Sequence, residues 1–199
     1  MISCVLLAGG QSKRMGKDKA FLSFKNKTFL RWVLEALDKY CDEIIIVANK
    51  DQSIYLNEAK GLSANIKFTS DIHPYEGPLN GIISSLDLIE NENIFVATCD
   101  TPLINSEVIK FLHQTIENYE AVIPVVKDKF QPLNALYKKS ALEKAKNIYK
   151  SGQKSMFSFI KQLNKKIIYE KDLKNIDKNL YTYWSINTPE DYERLKNLC

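Results

Sequence analysis

The sequence predicts an α/β fold: one domain over residues 1–199, built on a mostly parallel sheet with helices on both faces. Three observations carry the prediction. Short apolar-rich runs recur at residues 2–7, 44–47, 66–69 and 94–98, as expected of strands buried inside a sheet. Segments with apolar residues at helical spacing separate them. A glycine-rich loop follows the first run directly, and open parallel sheets bind ligands outside the carboxyl ends of their strands.

The first strand, Ile2 to Leu7, is a continuous apolar run of the length that suits the centre of a parallel sheet. After the glycine loop, Phe21 to Phe24 is apolar and turns at Lys25-Asn26-Lys27. Thr28 is placed to cap a helix that carries Phe29, Val33, Leu34 and Leu37 on one face. Ile44 to Val47 is a second strand, ending at Ala48-Asn49. A short helix over Gln52 to Ala59 stops at Gly61. Ile66 to Thr69 is a third strand, ending at Ser70-Asp71. Pro78 suits the first turn of a helix running to about Leu88. Ile94 to Thr98 is a fourth strand, ending at Cys99-Asp100-Thr101-Pro102, and Ser106 to Ile116 is a helix with Ile109, Leu112 and Ile116 inward. Ala121 to Val126 is a fifth strand and Pro132 to Tyr137 a sixth. A helix over Ser140 to Tyr149, another over Ser155 to Leu163, a strand over Lys166 to Tyr169 and a closing helix over Pro189 to Leu198 complete the chain. Residues 127–178 break the regular alternation. They predict an antiparallel edge or a small subdomain over the sheet.

Composition excludes several classes. Hydrophobic residues make up 45% of the 199, enough for a sizeable core and against disorder. The net charge of +4 is too mild and too scattered to argue for nucleic acid as a partner. No run reaches the roughly 18 apolar residues of a membrane span, and no basic segment followed by a long apolar one marks a signal peptide. The expectation is a cytoplasmic protein with no membrane partner. The four cysteines, Cys4, Cys41, Cys99 and Cys199, have the spacing of neither a zinc site nor a small disulfide scaffold, so they are expected as reduced thiols. Cys4 and Cys99 read as small core hydrophobes.

The loop after the first strand holds Gly9, Gly10 and Gly16 together with Lys13, Arg14, Lys17 and Lys19. Close backbone approach plus cations is what a polyphosphate needs. Five residues separate Gly10 from Gly16 and Asp18 follows Lys17, which excludes a Walker loop; the dinucleotide fingerprint is also absent. Asp71 and Asp100 end strands on the same predicted edge. A carboxylate beside a triphosphate recruits magnesium, which takes one or two carboxylates with phosphate oxygens and water. Asp100 is the better metal candidate, because a buried strand delivers it to the edge. Asp71 is equally suited to accept a hydrogen bond from a base, a ribose or a loop amide. His113 lies within a helix away from the strand ends, and His73 sits in a loop before Pro74. With no evident base and no nucleophile constellation, the residues suggest transfer at phosphorus driven by positioning and charge.

Leu7-Ala8-Gly9-Gly10-Gln11-Ser12-Lys13-Arg14-Met15-Gly16-Lys17-Asp18-Lys19 resembles the signature L-A-G-G-x-S-x-R-M-G-x-D-K of the molybdenum cofactor guanylyltransferases. Gly77-Pro78-Leu79-Asn80-Gly81, Cys99-Asp100-Thr101-Pro102 and Asn187-Thr188-Pro189-Glu190-Asp191 resemble that family's other motifs in the same order, from end to end of the chain. The resemblance implies a Rossmann-like fold of the nucleotide-diphospho-sugar transferase type. It implies GTP and molybdopterin as substrates, magnesium as cofactor, and handover of product to apo-molybdoenzymes or their chaperones. On matching positions, Leu7, Ala8 and Gly9 contact the nucleotide and Gly10 lines the phosphate site. Arg14 and Lys19 neutralise phosphates, while Lys13 and Lys17 are solvated. Asp71 contacts the nucleotide and Asp100 holds magnesium. Gly77, Pro78 and Asn187 fall at the second substrate, Asn187 near the metal or the pterin. Two positions depart from the pattern. Val47 stands where the family often has a nucleotide-contacting Asn, which leaves Asn49 or a main-chain group to replace it, or base selectivity looser. Ser185 also stands where an Asn is frequent.

The implied reaction is transfer of GMP from GTP to the terminal phosphate of molybdopterin, releasing pyrophosphate. Two alternatives use the same loop: a nucleotidyltransferase acting with CTP or on a sugar phosphate, and a nucleotide-binding module without catalysis.

Overall fold

Alternating apolar runs and amphipathic segments become strands and helices in the computed structural model, which describes residues 1–10 and 18–198. Strand β1 is Ile2–Leu7. A 3-10 turn, Lys19–Phe21, leads into a small hairpin of β2 (Ser23–Phe24) and β3 (Lys27–Thr28), then α1 (Phe29–Asp38). Next come β4 (Glu43–Val47), α2 (Gln52–Glu58), β5 (Asn65–Thr69) and α3 (Pro78–Ser85), with a 3-10 extension at Leu86–Leu88. Then follow β6 (Asn93–Thr98), α4 (Ser106–Thr115), β7 (Ala121–Val126), β8 (Lys129–Phe130) and β9 (Ala135–Lys138). The chain ends through α5 (Lys139–Lys150), α6 (Met156–Lys161), β10 (Lys165–Tyr169), α7 (Glu170–Leu173), a 3-10 turn at Tyr181–Tyr183, and α8 (Pro189–Lys196). The caps follow the sequence: the Thr28 hydroxyl accepts the Arg31 amide, and Thr188 and Asp191 form a capping box on α8.

Among the described residues, eight strands form one sheet in the order β10-β7-β9-β6-β1-β4-β5, with β8 on β7. Strands β6, β1, β4 and β5 are mutually parallel and in register, with Leu7 level with Val47 and Thr98, and Val47 level with Thr69. Four carboxyl ends therefore stop on one line. The alternation of side chains across the strands splits the core in two. Cys4, Leu6 and Ala8 pack with α1 and α4, through Leu34, Leu37, Val108 and Leu112. Val5 packs with α3, α5 and α6, through Leu79, Ile82, Leu142 and Phe159. A third cluster joins Leu22, Phe24 and Phe29 to Ile186 and Leu195, and so brings α8 against the hairpin.

Two expectations need correction. The antiparallel strand of residues 127–178 is not at the edge: β9 lies inside the sheet, antiparallel to both β6 and β7, while the edge strand β10 is parallel to β7. It begins at Ala135 rather than Pro132, because Asn134 takes a left-handed turn (φ 55°) that swings the chain into the sheet. The cysteine spacing predicts reduced thiols, but Cys4 and Cys41 form a disulfide across 37 residues, with Cα atoms 6.0 Å apart. Parallel pairing places the start of β1 beside the segment entering β4, a proximity that sequence spacing does not carry. Cys99 is free and buried, as expected, and Cys199 lies outside the described residues. No helix among the described residues is long and apolar enough to cross a membrane.

Candidate active site

The level strand ends place Gly9 and Gly10 after β1, Asn49 after β4, Asp71 after β5 and Asp100 after β6 on one edge of the sheet. Three backbone bonds carry the ladder past the strands: Ala8 N–H to Val47 O (2.8 Å), Ala48 N–H to Thr69 O (3.1 Å) and Cys99 N–H to Leu7 O (3.2 Å). A cavity of about 520 Å³ opens above this edge. Gly9, Gly10, Lys19, Asp71 and Asp100 line it, with Leu7 and Val47 beneath and Gly77, Pro78 and Asn187 on its walls. The Ala8 side chain is buried in the core and its N–H is spent on Val47, so of the predicted nucleotide contacts it alone faces away. Arg14, with Lys13 and Lys17, lies outside the described residues.

Asp100 is held from three sides. The Thr98 hydroxyl donates to its Oδ1, the Ile186 amide donates to its carbonyl at 2.8 Å, and Lys19 Nζ stands 3.9 Å from its Oδ2. The Lys19 ammonium also donates to Asn187 Oδ1 at 2.5 Å. Asn187 in turn is fixed by its own amide donating to Asp191 Oδ2 at 3.0 Å, within the cap of α8. Burial raises the Asp191 carboxyl, but the amides of Asn187 and Thr188 and the Thr188 hydroxyl outweigh it and hold the group below its ordinary value. Asp18 caps the 3-10 turn that carries Lys19, accepting the Ala20 amide at 3.1 Å, and pairs with Lys50 at 2.8 Å. The cation of Lys19 is thereby delivered beside Asp100 by two separate parts of the chain.

Asp71 and Asn49 exchange two hydrogen bonds. Asn49 Nδ2 donates to Asp71 Oδ2 at 2.6 Å, and the Asp71 amide donates to Asn49 Oδ1 at 3.1 Å. Gly77 precedes α3 with φ 96° and Pro78 takes its first turn. The histidines stay out of the cavity. His73 stacks on Tyr149, and His113 sits between Tyr40 and Asn93 at ring-nitrogen distances of 3.1 Å, its pKa lowered by burial. Cys99 lines the cavity, but burial, and then the Asp100 charge, push its thiol far above neutrality. Nucleophilic thiol chemistry is therefore disfavoured there.

No cluster of three or more His, Cys, Asp or Glu among the described residues is placed to hold a metal. A cation that takes most of its ligands from phosphate and water needs only one or two carboxylates. Asp100, with one oxygen oriented by Thr98 and a quarter of its side chain exposed, fits that donor set. Tyr75 and Leu133 also line the cavity, and no motif or periodicity marks them. Tyr75 sits at φ 66° in an aperiodic loop, and Leu133 lies just before the left-handed Asn134, ahead of β9 rather than within it. Thr98 was legible only as a strand residue.

Known proteins resemble this chain in sequence and in fold. The sequence model of the MobA-like NTP transferase domain matches residues 4–167. A Clostridium perfringens protein named "Probable molybdenum cofactor guanylyltransferase" is 36% identical over 208 residues, covering 97% of this chain and 95% of that one. The crystal structure of molybdopterin-guanine dinucleotide biosynthesis protein A from Archaeoglobus fulgidus superposes with a TM-score of 0.82 at 27% identity, covering 99% of this chain and 98% of that one. The 4-diphosphocytidyl-2C-methyl-D-erythritol synthase of Anaerococcus prevotii shares the fold, with a TM-score of 0.75 at 17% identity, covering 98% of this chain and 94% of that one.

Proposed function

The chain belongs to the MobA-like NTP transferase family, and from that premise we propose that it is a molybdenum cofactor guanylyltransferase acting through one domain over residues 1–199. It transfers GMP from GTP to the terminal phosphate of molybdopterin and releases pyrophosphate. The observation that carries the reading is the convergence of Lys19, Asp71 and Asp100 on one cavity at the carboxyl edge of the sheet.

The acceptor phosphate is anionic at neutral pH, so the in-line attack on the α-phosphorus needs no strong base. That suits a cavity from which both histidines are absent. The difficulty is bringing two polyanions together. A like-charge pair at 4 Å costs about 4 kcal/mol at an effective dielectric near 20. Lys19 neutralises phosphate oxygens, and Asn187 holds its ammonium at the cavity wall. Asp71 contacts the nucleotide, and the backbone of Gly9 and Gly10 leaves room for close approach of phosphate. Asp100 would hold a magnesium ion, which supplies charge neutralisation when bound. Gly77 and Pro78 bound the side on which the acceptor enters.

The test is turnover with GTP and molybdopterin, with and without magnesium, followed by product mass and by competition among the four nucleoside triphosphates. A guanine dinucleotide product formed only with the metal supports the reading. Equal use of CTP, the outcome that Val47 at the cavity floor leaves room for, would overturn the guanylyl assignment.

A further inference from the structure

We propose that Asn49 is a positioning residue: its amide locks the Asp71 carboxylate in one orientation, and the locked acceptor selects a base that presents adjacent N–H donors, as guanine does. The inference rests on the reading above that the cavity takes a nucleoside triphosphate.

The two bonds between Asn49 and Asp71 are reciprocal, side chain to side chain at 2.6 Å and backbone to side chain at 3.1 Å. The Asn49 amide cannot flip, because its oxygen would then face a carboxylate and its nitrogen a backbone N–H. Strands β4 and β5 fix the spacing, since their ends are level at Val47 and Thr69. Two glycines close the slot around the carboxylate. A Cβ on Gly9 would stand 3.2 Å from Asp71 Oδ2 and 3.0 Å from Asn49 Nδ2. A Cβ on Gly81 would stand 3.1 Å from Asp71 Oδ1. Both carboxylate oxygens therefore lie close against a glycine, Oδ2 on the Asn49 amide beside Gly9 and Oδ1 beside Gly81, and Asp71 lines the cavity.

A carboxylate is an acceptor only. Guanine offers N1–H and the 2-amino group side by side. Adenine and cytosine put a ring-nitrogen acceptor beside a single amino group, so an oriented carboxylate meets a lone pair. Val47 lines the same cavity with a side chain that has no polar atom, and its carbonyl is already taken by the Ala8 amide, so discrimination is assigned to Asp71. Asn49 does not replace an asparagine at position 47 by touching the base: its amide is already engaged, and it acts through Asp71.

The experiment compares binding and turnover of GTP, ITP and CTP by the wild-type chain, Asn49→Ala and Asn49→Asp, with thermal melting as the folding control. ITP keeps N1–H and lacks the 2-amino group. The wild type is expected to prefer GTP over ITP and CTP. Asn49→Ala should lose about tenfold of that preference, in KM rather than kcat. Asn49→Asp is isosteric and puts two carboxylates where the amide–carboxylate pair was, so one of them must hold a proton. Its GTP preference should be poor at neutral pH and return as the pH falls. A merely structural role would lower the melting temperature and leave the GTP-to-ITP ratio and its pH profile unmoved, which would overturn the inference. A wild type that binds nucleotides without preferring GTP overturns it as well. A wild type that binds no nucleotide overturns the nucleotide reading, and this inference with it.

Discussion

Lys19 and Asn187 are 168 residues apart, yet the ammonium of one donates to the side-chain oxygen of the other at 2.5 Å. The bond joins the loop after β1 to the cap of α8, two segments that share no strand. It exists because Ile186 and Leu195 pack against Leu22, Phe24 and Phe29, and because Ile186 hydrogen-bonds to Asp100. One end of the closing helix thus holds both the Lys19 cation and the backbone of Asp100, which line the cavity together.

Removing the cation should show in the rate. Lys19→Met keeps the aliphatic stem and deletes the charge, so kcat/KM for GTP should fall by about 100-fold, the scale of losing one preorganised charge-stabilising donor. Asn187→Ala leaves the charge and loosens it, so the loss should be milder, about tenfold. Pyrophosphate release measures both, and unchanged kcat/KM in Lys19→Met would remove Lys19 from the site.

Asp100→Asn retains an oxygen for the Thr98 hydroxyl and a carbonyl for Ile186 and removes only the charge. The protein should melt near the wild-type temperature while transfer falls by about 100-fold or more. Thr98→Val should lie between the two, since it frees the carboxylate to rotate. Full turnover of Asp100→Asn across a magnesium titration would contradict the metal assignment.

Gly81→Ala tests the slot beside Asp71. The added Cβ would meet Leu7 Cδ2 at 2.9 Å and Asp71 Oδ1 at 3.1 Å. The leucine tip can move away, but the carboxylate is held by Asn49 and cannot. The overpacking should cost about 1–3 kcal/mol. It should appear chiefly as weaker GTP binding, read by calorimetry, because the strain falls on Asp71, the proposed contact to the base. Binding as tight as wild type would mean that Asp71 has more freedom than its hydrogen bonds imply.

Much of this arrangement was legible in the sequence. The parallel half of the sheet was, because buried apolar runs and helix caps are local signals: Thr28 and Pro78 mark starts that the structure keeps. The strand-end residues followed, since a parallel sheet puts all its carboxyl ends together. The antiparallel character of residues 127–178 was legible, but the place of β9 inside the sheet was not. The β7–β8 hairpin turns at Lys127-Asp128, both at positive φ (53° and 57°), without the glycine that usually announces such a turn. The Cys4–Cys41 pairing and the Lys19–Asn187 bond were also hidden, because each depends on tertiary packing between segments far apart in the chain. Asn49 was visible as a strand-end residue, but its partner was not, since that depends on the register between β4 and β5.

At the opposite edge of the sheet, Glu43 is 2% exposed and ties three strands together. The Ser3 hydroxyl donates to it at 2.5 Å, the Glu90 amide at 3.1 Å, and the Lys67 ammonium donates to its other oxygen. Burial alone would raise its carboxyl, but these donors and the Lys67 charge outweigh burial and hold it below the ordinary value of 4.5. A carboxyl depressed by folding stabilises the native state above its unfolded pKa, and that stabilisation is lost as the pH falls through the folded value. Glu43→Gln should therefore cost about 2 kcal/mol at pH 7, the scale of hydrogen bonds to a charged group. The gap between wild type and variant should persist down to about pH 5 and close below the reference value of 4.5. Urea denaturation at pH 7, 5 and 3.5 measures it. A gap that stays constant down to pH 3.5 would assign the loss to packing rather than to the ionised carboxylate. Catalysis at neutral pH should be untouched if the protein remains folded, because Glu43 stands at the amino end of β4 and the cavity opens beyond its carboxyl end.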